Sequence, residues 1–232
     1  MKHRIDIRGV MIPNDYKWYY DWFKEDSTCP ADVQKVMDAY RDGDEIEVYV
    51  NSPGGVIEVG SEIYTLLHRM KDNVKIYITG EACSAASIIS MAAYCEMAPT
   101  ALMMVHCVSS AVRGNHNDLE HQAEVLRTAD RALCTAYMAK SGMTEAEALD
   151  MMEAETWLTA GQAKEKGLID AVMFEEEREE KLPLVAGPLF ALPSDEQMEK
   201  VRNMIKQTDE PKAGEAVFLL QQKLNLLKLK EK

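Results

Sequence analysis

Strand-like and helix-like apolar patterns alternate through the middle of this chain, and that alternation constrains the fold more than any other feature. Glu45-Ile46-Glu47-Val48-Tyr49-Val50 has the period of two expected of a strand, and Val74, Ile76 and Ile78 repeat it. Between them, Val59, Ile63, Leu66, Leu67 and Met70 fall at helical spacing. A third apolar run, Leu102 to Val105, predicts a buried strand. Strand, helix, strand, helix and strand in succession predict an α/β fold with mostly parallel pairing, because parallel neighbours need a crossover and a helix supplies it.

Downstream, Asn115 to Lys140 predicts one long helix, with Leu119, Ala123, Leu126, Leu133 and Tyr137 on related faces. Capping boxes pair Thr144 with Glu147 and Thr159 with Gln162, and the second helix should stop at Gly167. Leu168 to Phe174 then predicts a return to strand. A run of charge at 175–181 follows, and Pro183, Gly187, Pro188 and Pro193 mark a linker. Ser194 with Gln197 opens another helix, and Val217, Leu220, Leu224 and Leu227 have a–d spacing over about two heptads. The expected division is a core of residues 1–176 and an acidic linker with a helical tail, 177–232.

Composition removes several function classes. Of 232 residues, 39 are acidic and 26 basic, a formal charge of −13, which leaves no basic stripe for nucleic acid. No apolar run has membrane-spanning length, and the opening MKHRIDIRG lacks a signal-peptide segment, so a soluble, cytoplasmic protein is expected. The five cysteines, at 29, 83, 95, 107 and 134, include no CxxC pair and read as reduced core residues. There is no Walker loop, HExxH or GxGxxG, so no nucleotide, zinc or dinucleotide site is expected.

Chemistry-bearing residues sit where the strands end. Asn51-Ser52-Pro53-Gly54-Gly55 follows the first; alone it is a tight turn, but two bare glycines also let a backbone N–H approach a reacting carbonyl. Gly80-Glu81-Ala82-Cys83-Ser84-Ala85-Ala86-Ser87 follows the second, where Ser84 is either a helix cap or an exposed nucleophile near N–H groups that stabilise developing charge. His106 ends the third. An isolated histidine there is ordinarily a core residue, but neighbouring parallel strands end on one edge of a sheet, where ligand sites of such folds lie.

Taken in order, Asn-Ser-Pro-Gly-Gly, Gly-x-Ala-x-Ser, Met-x-His and Trp-Leu-Thr-Ala with Gly-Leu-Ile-Asp resemble the proteolytic subunit of the Clp protease family, over roughly residues 40 to 173. The resemblance implies the Clp/crotonase-like spiral of ββα units with a protruding long helix. It implies a serine endopeptidase with Ser84 as nucleophile, His106 as general base, and the N–H groups of Gly55 and Ala85 as oxyanion hole. The family's acid is an aspartate two residues before an aromatic-Leu-Ser-Ala segment; that place here holds Glu155, with Asp170 as its rival. Cys83 replaces an alanine beside the nucleophile, and if both were helical it and Ser84 would point about 100° apart, so that only one could face His106. Cys107-Val108 replaces Gln-Pro after His106.

The resemblance further implies peptide or protein substrates, a homo-oligomeric ring, no cofactor or metal, and a separate ATP-dependent AAA+ unfoldase wherever ATP is used. Met11-Ile12-Pro13, the aromatic cluster from Tyr16 to Phe23, Glu155-Thr156-Trp157 and the acidic tail are similar to Clp-like proteases of bacteriophage head maturation, whose partners are capsid and scaffold proteins. Two other readings stay open: a crotonase-like acyl-CoA enzyme, which would use carboxylates for proton transfer, and a catalytically inactive structural relative.

Overall fold

The structure is a computed structural model that describes residues 1–175 and 195–206. The chain divides into two compact units, Met1–Glu177 and Arg178–Lys232. In the second, the described part is one helix, Asp195–Lys206. The heptad-like positions from Val217 to Leu227 and the cap at Ser194 lie outside the described residues.

The first unit is an α/β fold built on a mostly parallel eight-stranded sheet, as the alternating pattern predicts. Its strands are β1 (Lys2–Met11), β2 (Ser27–Thr28), β3 (Glu45–Gly55), β4 (Val74–Cys83), β5 (Tyr94–Met97), β6 (Leu102–Val105), β7 (Thr156–Thr159) and β8 (Ala171–Val172). The main order is β2-β1-β3-β4-β5-β8. β4 serves two neighbours in turn: Lys75 to Ile78 pair with β5, and Glu81 to Cys83 pair with β6. β7 joins β6 antiparallel, the single reversed pairing among the described residues.

Period-two patterning sets which face is covered. Ile46, Val48, Val50, Val74, Ile76 and Ile78 point into the core and are almost wholly buried. Each such side chain contributes about 1.5–3 kcal/mol by leaving water. The intervening residues form a half-covered face, where Tyr49 and Tyr77 stack at 5.3 Å and the Arg4 guanidinium lies over Tyr49. The helices are α1 (Lys17–Phe23), α2 (Pro30–Met37), α3 (Ile57–His68), α4 (Ala85–Ser90), α5 (His116–Ser141), α6 (Glu145–Glu153) and α7 (Ala160–Glu165). Both capping boxes are made: Thr144 caps α6 through Glu147 N, and Thr159 caps α7 through Gln162 N.

The structure corrects three of these expectations and adds strands that the apolar pattern does not predict. The Asn51–Gly55 segment is the end of β3, not a turn after it, because an irregularity between Arg8 and Val10 of β1 lets the pairing resume at Val10–Gly54 and run to Met11–Gly55. The return to strand after Leu168 shortens to Ala171–Val172, since Leu168 N first closes α7 onto Ala163 O. β1 and β5 were not legible in the sequence. On α5, the buried stripe is Asp130, Cys134, Ala136 and Tyr137, whereas Leu119 is 48 % exposed. The C-terminal half of α5 packs on α4 and α6, and residues 116–120 are all exposed. No helix among the described residues is long and apolar enough to cross a membrane.

Candidate active site

Ser84 stands at the junction of β4 and α4 with φ 53° and ψ −124°. A non-glycine residue in so sparse a region costs about 1–3 kcal/mol and persists only where its surroundings over-determine it. Here they do. Ser84 N donates to Met104 O at 2.9 Å, prolonging the β4–β6 pairing by one residue. Its carbonyl accepts from Ser87 N at 2.9 Å and from the Ser87 hydroxyl at 2.6 Å. The sharp strand-to-helix turn lifts the hydroxyl off the end of the strand, as nucleophile elbows do.

His106 is the first residue beyond β6, and its Nε2 lies 2.8 Å from Ser84 Oγ. The parallel pairing of β4 with β6 brings the two strand ends together, as the sheet-edge argument anticipates. The chain after His106 is pinned on both sides: Cys107 N donates to Met152 O at 3.1 Å, and Val108 N to the Asp130 carboxylate at 2.7 Å. Asp130, 9 % exposed on α5, was not identified from the sequence. Its signal was there to read, since it lies in register with Leu126, Cys134 and Tyr137 at helical spacing and a charged side chain on such a stripe needs a partner.

Gly55, Ser84, Ala85 and His106 line one pocket. Much of its remaining wall is apolar, from Ile57, Ile88, Leu133 and Met152. Both glycines are sterically required. A Cβ on Gly54 (φ +95°) would lie 2.6 Å from Cys83 O and 2.8 Å from Ser84 Cβ, and one on Gly55 (φ +154°) 2.3 Å from Met11 O. Gly54→Ala should therefore destabilise the protein by about 2–4 kcal/mol, from overpacking and left-handed strain, and displace the Ser84 turn. Urea unfolding with peptide turnover checks this; a near-native midpoint with full turnover contradicts it.

Cys83 is the last residue of β4 and not helical, so no 100° helical offset separates it from Ser84. Its thiol is 2 % exposed in the residue's accessible surface and contacts the Glu81 carboxylate at 3.6 Å. Burial first, then the Glu81 charge, push its pKa up to about 12. At pH 7 only about one part in 10⁵ would be thiolate.

The two carboxylates weighed for the third position are placed differently. Glu155 precedes β7, and continuing the antiparallel register past the Val105–Thr156 pair sets it opposite His106. Its φ is +45°, and its carboxylate accepts from the Trp157 indole Nε1 at 3.4 Å, whereas the hydrogen bond of His106 is to Ser84. Asp170 accepts from Cys95 N at 2.6 Å and pairs with Lys140, tying the approach to β8 to β5 and to the end of α5. Of the four non-glycine residues with positive φ among those described, two are Ser84 and Glu155.

A family model described as Clp protease matches residues 33–176, which includes every residue placed in this site. That match spans more than half of the 232-residue chain. The chain belongs to the Clp protease family.

Proposed function

We propose that this peptidase is a serine endopeptidase acting through a Ser84 acyl-enzyme. The observation that carries the reading is the 2.8 Å contact between His106 Nε2 and Ser84 Oγ, made at a strained turn on the wall of an apolar pocket. For Ser84 to donate in the resting state, Nε2 must be unprotonated, so the neutral imidazole carries its proton on Nδ1. Ser84 Oγ attacks the scissile carbonyl as Nε2 takes its proton. The N–H groups of Gly55 and Ala85 hold the tetrahedral oxyanion, and His106 then protonates the leaving amine. Water enters by the same route in reverse and releases the acyl product.

Glu155 is assigned the third position. Nδ1–H needs an acceptor, Glu155 is in register with His106, and its exposed side chain can turn from Trp157 to the imidazole. Asp170 is already committed to Cys95 and Lys140. The apolar wall fits an apolar side chain on the acyl side of the cleaved bond.

Turnover of short peptides with an apolar residue at that position tests the reading against its rivals. Cleavage with stoichiometric acylation supports it; thioester turnover on acyl-CoA without peptide cleavage favours the crotonase reading, and neither activity favours an inert relative.

Assembly and partners complete the proposal. The exposed first half of α5 is a surface for packing against further copies in a ring, so light scattering at micromolar concentration should give a multi-subunit particle. A monodisperse monomer that cleaves peptides contradicts it. Folded substrates would need a separate AAA+ unfoldase, because the chain has no Walker motif. The aromatic opening and acidic tail favour the phage head-maturation branch, with capsid or scaffold proteins as substrates. Catalysis resides in residues 1–176, so a chain ending at Phe174 should keep hydrolysis of short peptides within about threefold, the tail being an appended segment of the kind that tolerates truncation. Loss of folding or of turnover in that chain would assign the tail to the core.

A further inference from the structure

The Ser84–Ala85 peptide is held by more than the short helix it opens. Ser87, fully buried on α4, donates its hydroxyl to Ser84 O at 2.6 Å, and its Oγ lies 2.7 Å from the Tyr137 hydroxyl on α5. A serine hydroxyl has one hydrogen, and it is given to Ser84 O, so Tyr137 is the donor in the second contact. Burial pushes the Tyr137 phenol well above its ordinary pKa, so it stays protonated through the working pH range. A chain of donors therefore runs from Tyr137 O–H to Ser87 O–H to the Ser84 carbonyl.

We propose that Ser87 and Tyr137 are positioning residues for the oxyanion hole, fixing the plane of the Ser84–Ala85 peptide so that the Ala85 N–H faces the reacting oxygen. This rests on the reading of Ser84 as nucleophile and of Ala85 N–H as an oxyanion donor. In a trans peptide the C=O and N–H lie in one plane and point opposite ways, so fixing one fixes the other. At φ 53° and ψ −124°, Ser84 would come close to the αL region by a half-turn of this peptide, which would also drive Ala85, the first residue of α4, to a positive φ. That half-turn would point the carbonyl, not the N–H, at the oxyanion. Hydrogen bonds accepted by the carbonyl oppose it, and they polarise the peptide so that its N–H is a stronger donor. The link from Ser87 spans 50 residues to Tyr137, so the long helix α5 helps hold the hole in shape.

The test uses the full chain with Tyr137→Phe, Ser87→Ala and the double variant, each quantified by fluorophosphonate titration of active sites. Tyr137→Phe keeps the ring, so packing is nearly preserved. Each single variant should lower kcat about tenfold with KM within twofold, less than the loss of a whole oxyanion donor. The double variant should match the worse single variant, since both cut one chain. Affinity for a peptide aldehyde, whose adduct places an oxyanion in the hole, should fall by the same factor. Affinity for a non-covalent product peptide should not change, and Ser87→Thr, which keeps the hydroxyl, should recover most of kcat. If kcat and aldehyde affinity hold while only the melting temperature falls, the pair is a packing contact and the inference is wrong. If the wild-type chain is not labelled at Ser84, the reading of the site itself fails, a distinguishable result.

Discussion

Replacing Ser84 with alanine is expected to lower peptide turnover by roughly 10⁴- to 10⁶-fold while leaving the fold intact. What remains would be catalysis by the oxyanion donors and by binding alone. The fold should survive because the substitution removes one oxygen and keeps Cβ, so the backbone geometry asks nothing new of the chain. Ser84→Gly should be as inactive but more stable, by about 1 kcal/mol, because glycine relieves the cost of a positive φ, less its greater entropy when unfolded. An inactive protein that melts later than wild type would show strain stored where the chemistry occurs. Cys83→Ala should retain turnover, since a buried thiol with its pKa pushed up to about 12 offers almost no thiolate at neutral pH. The reverse pattern, with Ser84→Ala active and Cys83→Ala dead, would transfer the nucleophile to Cys83.

The second large effect concerns Glu155. Glu155→Gln keeps shape and removes the charge that favours the imidazolium, and turnover should fall on the order of 10³- to 10⁴-fold. Glu155→Asp should retain measurable turnover, because the carboxylate is kept and the family places aspartate there. Asp170→Asn should weaken the protein by about 1–3 kcal/mol, through the lost charge opposite Lys140 and a weaker acceptor for Cys95 N, yet leave turnover per folded molecule near normal. Trp157→Phe removes the indole that now holds the Glu155 carboxylate and should leave turnover equal to or above wild type. Near-normal turnover in Glu155→Gln with collapse in Asp170→Asn would move the third position to Asp170.

The parallel sheet and the Ser84–His106 pairing were legible because both follow from local signals. Alternating apolar runs mark β3, β4 and β6, and the ends of β4 and β6 meet because the strands pair in parallel. β1 hid behind interleaved charge, Lys2, Arg4, Asp6 and Arg8, on its outer face. β5 is four residues long and carries Glu96. The first half of α5 misled for another reason: its spacing is helical, but Leu119 is 48 % exposed. The partners of Asp130, Ser87 and Tyr137 were not legible because they lie far away in sequence, and spacing says nothing of which distant hydroxyl or amide a side chain meets. The direction of the Glu155 side chain was not legible either. Register fixes its backbone opposite His106, but register does not say where an exposed carboxylate points, and here it accepts from the Trp157 indole.

If Ser84 is the nucleophile, a covalent serine probe will mark it. The full chain is treated with a fluorophosphonate at neutral pH, and the intact mass and the modified peptide are then determined. One adduct per chain is expected, on Ser84, absent from Ser84→Ala and strongly slowed in His106→Ala. An unmodified chain that still cleaves peptides, or an adduct on any residue other than Ser84, would contradict it.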